Sequence, residues 1–149
     1  MAKALSQQLS PRIVESGTAF TVTPNDAGDV INLGAGVAAT VTLPKSEGTG
    51  NLYRFRVSAT GTGSQVIKVS NTNDVISGFV FMIDTDTAGT TTGWATNATS
   101  DTITLNRSTT GGVTLSEELL VTDGVSGTFF VRGYVSNTGT GATPFSATV

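Results

Sequence analysis

From about residue 12 onward, short runs of alternating apolar and polar residues are separated by Gly, Asn, Asp, Ser and Pro. Successive side chains of a strand point to opposite faces, so a period of two marks a ribbon with one face for a core and one for water. Helical periodicity is nearly absent. About nine such runs, with turn residues at suitable spacing, predict an all-β fold: a single antiparallel β-sandwich or barrel-like domain with extended N- and C-terminal segments.

The runs can be read individually. In "VAATVTLP", Val37, Ala39, Val41 and Leu43 share one face, and Pro44 closes the strand because it has no N–H to give a ladder. In "LYRFRVSA", Tyr53, Phe55 and Val57 face one way while Arg54 and Arg56 face the other. "SQVIKVS" sets Ile67 and Val69 inward and Lys68 outward, and the "TGTGS" before it suits a hairpin, so these two runs are expected to pair antiparallel. "TAFTVTP", "GDVINLG", "DVISGFVFMI", "DTITLN", "EELLVTD" and "TFFVRGYV" complete the set. The stretch from Asp84 to Ser100 holds Trp94 among small polar residues and has no strand pattern, which marks a long loop that is functional, mobile or part of a contact.

The ends differ from the middle. Residues 1–11 carry Leu5 and Leu9 at helical spacing, too brief to be stable alone, and read as an arm that lies on something else. Residues 12–135 form the sandwich domain, and 136–149 a tail in which Phe145 follows Pro144 and needs a pocket, its own or a neighbour's. The first residues lack the apolar run of a signal peptide, and no run of about 18 apolar residues suggests a membrane helix, so a soluble protein made in the cytoplasm is expected.

Composition limits the chemistry. Only 13% of the 149 residues are charged, threonine is the commonest residue, and the net charge is −3 with no block of one sign. Binding to a nucleic-acid backbone is therefore not expected, and the strand alternation that sets Tyr53 and Phe55 opposite Arg54 and Arg56 also rules against a base-stacking surface. Cysteine and histidine are both absent, which removes thiolate chemistry, the commonest general base and the commonest zinc ligand.

Three carboxylate pairs could be proposed for acid–base work: Asp26 with Asp29, Asp84 with Asp86, and Glu117 with Glu118. The last two neighbours point to opposite strand faces. Asp84 and Asp86 could contribute oxygens to calcium, yet the full spacing of a calcium loop is missing, and ordering of a turn explains them as well. In "SDTITLNRSTTGG", Thr109 and Thr110 have no histidine base, so the segment reads as a turn out of a strand, with Gly111 and Gly112 supplying positive φ values. Trp94 could stack on a sugar or pack into a core or interface, and packing is the commoner habit of tryptophan. No enzyme and no cofactor is expected.

The ordered pieces "VTLPKSEGTGNLYRFRV", "SQVIKVSNTNDVISG", "SDTITLNRSTTGG" and "GTGATPFSATV" resemble the small β-rich head decoration, or cement, proteins of tailed bacteriophages, over most of residues 12–149. The resemblance implies a non-enzymatic virion protein on the outer surface of the expanded capsid. Its partners would be the major capsid protein and two further copies of itself, the homotrimer sitting where capsid subunits meet and stabilising the head against DNA pressure. From the residue pattern alone, the candidate contacts are Leu5, Leu9 and Ile13 near the arm, Arg54 and Arg56, and Phe145. The alternative reading is a carbohydrate-binding module or virion adhesin using Trp94 and the polar loops.

Overall fold

The computed structural model describes residues 11–149. Leu5 and Leu9 lie outside the described residues. The strands, in chain order, are β1 (Ile13–Glu15), β2 (Ala19–Thr21), β3 (Val30–Leu33), β4 (Ala39–Thr42), β5 (Leu52–Val57) and β6 (Gln65–Lys68). They continue with β7 (Val75–Asp84), β8 (Thr91–Ala95), β9 (Thr102–Leu105), β10 (Glu118–Val125), β11 (Thr128–Asn137) and β12 (Phe145–Ser146). One short 3₁₀ turn, Pro24–Asp26, lies between β2 and β3.

Two sheets result. The larger has seven strands in the order β1-β3-β5-β10-β11-β7-β8, and the smaller has five in the order β12-β9-β6-β4-β2. Between them lies the core. Ile31, Leu33, Tyr53, Phe55, Leu119, Val121, Ile76, Val80, Phe129 and Val131 come from the larger sheet, and Val41, Ile67, Ile103, Leu105 and Phe145 from the smaller. The alternation read from the sequence places these residues: β5 shows a strict half-buried, buried alternation, and so does β6.

The sandwich expectation holds, but its antiparallel character extends to only part of the pairing. The chain alternates between the sheets for its first six strands, so β1, β3 and β5 run parallel in one sheet, and β2, β4 and β6 run parallel in the other. This half is a flattened coil in which each turn contributes one strand to each sheet. Parallel neighbours need a crossover, and here the strand of the opposite sheet supplies it in place of a helix. The later strands pair antiparallel, apart from the long parallel match of β7 with β11.

The coil corrects one expected hairpin. β5 and β6 do not pair, because the "TGTGS" connection carries the chain from one sheet to the other. A strand with one apolar face satisfies that pattern in either sheet. Val37 is also outside its expected strand: β4 begins at Ala39, and Val37 is exposed. Within the expected long loop, Thr91–Ala95 forms β8, which returns antiparallel along β7. The tail is likewise tied to the domain, since β11 extends to Asn137, and β12 pairs with β9.

Candidate protein-binding face

The outward side of the larger sheet can be followed across its strands by register. One row runs Ile13, Val30, Arg54, Leu120, Arg132, Phe79 and Ala95. The adjoining row runs Glu15, Asn32, Arg56, Glu118, Tyr134, Phe81 and Gly93. Directly opposed side chains on one sheet face are near neighbours, so residues far apart in sequence form continuous strips.

The two ends of this face differ chemically. Toward β1 it is a polar ladder: the Asn32 amide donates to Glu15 Oε1 at 2.6 Å, and Arg56 donates from Nη2 to Asn32 Oδ1 at 3.1 Å. Arg54 lies 3.8 Å from Glu118, an ion pair too long to be a hydrogen bond. Its Nε is buried with no hydrogen-bond partner among the described residues.

Toward β7 the face turns aromatic. Phe79, Phe81, Phe130 and Tyr134 are each 47 to 53% exposed, and Ile83 extends the strip at 48%. The rings of Phe79 and Phe81 stand edge to face with centroids 5.8 Å apart. Arg132 sits among them, between Leu120 and Phe79 in the register, with no carboxylate within ion-pair distance among the described residues. Phe79, Phe81, Leu120, Arg132 and Tyr134 surround a depression of about 280 Å³.

No family model, curated protein or solved structure matches the chain.

Of the contacts expected from sequence, Ile13, Arg54 and Arg56 come together on this face. Phe145 does not join them. It is 7% exposed and packs into the protein's own core, so its pocket is internal. The residues that sequence reading missed are Phe79, Phe81, Phe130 and Tyr134. Their signal lies in "GFVFMI" and "FFVRGY", where the residues between core positions are themselves apolar or aromatic. A strand of a two-layer sandwich has water on its second face, so apolar residues there point to a further layer.

The other candidates have structural employment. The Asn106 side-chain oxygen accepts the N–H groups of Ser108, Thr109 and Thr110, and the Arg107 guanidinium donates to the carbonyls of Ala35, Ala59 and Gly63. The Thr-rich segment is therefore a turn, as the sequence implies, with φ of 111° at Gly111 and 82° at Gly112. Asp26 and Asp29 share Arg12, at 3.2 and 2.7 Å. Glu117 turns inward to hold the N–H groups of Gly112 and Thr114 and the Ser136 hydroxyl. Glu118 points outward beside Arg54, as the sequence order of the two glutamates implies.

Two further carboxylates act as loop fasteners. Asp123 accepts hydrogen bonds from the Ser46 and Thr49 hydroxyls and the N–H groups of Glu47, Gly48 and Thr49. Burial alone would raise its pKa, but these bonds outweigh it and hold the group at about 2. Asp101 receives Thr148 and Val149 N–H, and these with the Thr102 hydroxyl overcome its burial and keep it below the usual carboxylate range. Asp84 accepts Asp86 and Thr87 N–H, ordering the β7–β8 turn. Among the described residues no group of three or more carboxylates is placed to hold a metal ion.

Proposed function

We propose that the protein is a structural virion protein, a head decoration protein that binds the outer surface of the expanded phage capsid as a homotrimer where capsid subunits meet. The observation that carries this reading is the aromatic half of the outward sheet face. Half-exposed Phe79, Phe81, Phe130 and Tyr134 around Arg132 have the composition of a protein–protein contact, in which aromatic residues and arginine are enriched. The partner, the major capsid protein, comes from the family resemblance.

The mechanism is multivalent clamping. Three joined copies engage three capsid surfaces, so weak separate contacts become persistent through effective concentration. Preference for the expanded head follows if the correctly spaced surfaces exist only after maturation, because a binder stabilises only the state it prefers. The protein, made in the host cytoplasm, then finishes on the outside of the particle and resists the pressure of packaged DNA.

Sedimentation tests this directly, first of the protein alone and then with expanded heads and unexpanded precursors. The expected result is a trimer that co-sediments with expanded heads only, with occupancy lost in the Phe79→Ser/Phe81→Ser variant. A monomer that binds neither particle overturns the proposal.

A further inference from the structure

A second site lies away from the aromatic face. Trp94 and Thr92 on β8 register with Val80 and Met82, whose side chains are buried in the core, and the indole packs partly against that core. The rest of Trp94 lines a cleft of about 530 Å³. Asp84, Asp86 and Thr90 from the β7–β8 turn form one wall, and Asn137 and Thr140 from the end of β11 and beyond form the other. Asp86 Oδ2 accepts Gly139 N–H at 2.6 Å, and both Thr85 N–H and its hydroxyl donate to Asn137 O at 2.9 Å, so the walls are bound to each other.

The polar groups left over define a ligand. Trp94 Nε1 is buried with no hydrogen-bond partner among the described residues, so the indole offers the cleft its ring surface and not its N–H. Asp84 uses only Oδ1 and Asp86 only Oδ2 within the described residues, leaving one acceptor oxygen on each. Ionised carboxylates accept and cannot donate, so they call for hydroxyl donors. The cleft volume falls within the roughly 300–1,000 Å³ typical of small-molecule sites.

We infer that this cleft binds a neutral saccharide, with a C–H face of one sugar ring against the Trp94 indole and hydroxyls donating to Asp84 and Asp86. Threonine hydroxyls of the walls supply groups that can donate or accept. The two carboxylates in the wall repel sialylated and uronic sugars, which sets the charge selectivity. This inference stands independently of capsid binding and holds whether the sugar is free or part of a cell-surface glycan.

Trp94 is the sole tryptophan, so its fluorescence reports the site directly. The protein, in EDTA to remove calcium, is titrated with neutral gluco-, galacto- and manno-oligosaccharides, their monosaccharides and sialylated counterparts. A saturable change with at least one neutral sugar is expected, with binding weakened about tenfold or more in Asp84→Asn, the loss of a charge-assisted hydrogen bond. Thr140→Phe, at an exposed wall position, is expected to abolish the response while keeping the wild-type melting temperature. Response to the monosaccharide as well as its oligomer identifies a single-ring site, and response to the oligomer alone identifies a glycan chain as the ligand. The inference is overturned by no saturable response to any neutral sugar, by equal response to sialylated forms, or by binding that survives Thr140→Phe.

Discussion

Asp123 joins three levels of the molecule at one carboxylate: it belongs to β10, it gathers the Ser46–Thr49 loop, and its hydrogen bonds set its own titration. Its folded pKa of about 2 lies below the roughly 3.9 of an unfolded aspartate. The stabilisation is therefore fully present above about pH 4 and disappears as pH falls through 2, amounting to about 2 kcal/mol. Urea denaturation across this range is expected to show wild-type stability falling more steeply between pH 4 and pH 2 than that of Asp123→Asn. At neutral pH the same substitution lowers stability by about 2–4 kcal/mol, because an amide cannot accept so many donors with both of its polar atoms. Parallel pH profiles for the two proteins would show that the loop is held by something else.

Among the elements, the β7–β11 pairing depends on Gly78. Its φ is 147°, and a Cβ there would collide with the Val131 carbonyl oxygen of the neighbouring strand. Gly78→Ala is expected to cost about 2–4 kcal/mol in denaturant unfolding and to raise dye binding to exposed apolar surface. Strand existence and facing were legible in sequence at this scale: Tyr53, Phe55 and Val57 are core, and Arg54 and Arg56 are outside, as alternation requires. Partner choice was not, because β6 carries a single apolar face that fits either sheet, and nothing local in "TGTGS" distinguishes a reversal from a crossing. β8 was hidden for another reason. "TTGWA" is an edge strand whose exposed residues need no apolar partner, so Trp94 alone carried its signal. Half of the candidate face was legible through Ile13, Arg54 and Arg56, and the aromatic half was missed because β7 and β11 carry apolar residues on both sides, where alternation marks no outward face.

For the molecule as a whole, buried Phe145 and half-exposed Phe79 and Phe81 let folding be tested apart from the proposed binding. Phe145→Ala removes a ring that closes the smaller sheet against the core and is expected to lower stability by about 3–5 kcal/mol in urea unfolding, while the folded fraction keeps full capsid occupancy. Phe79→Ser/Phe81→Ser, at half-exposed sites, is expected to keep stability within about 1 kcal/mol and lose occupancy. If Phe145→Ala lost occupancy in proportion to nothing but its folded fraction, the tail would have no direct capsid contact. The order of the larger sheet adds a constraint in time. β10 and β11, residues 118–137, stand between β5 and β7, so Arg54 and Phe79 share a surface only once the last quarter of the chain has entered the sheet. A truncated or half-folded copy cannot present the complete face, and assembly by this surface would proofread the protein it recruits, admitting finished molecules and passing over unfinished ones.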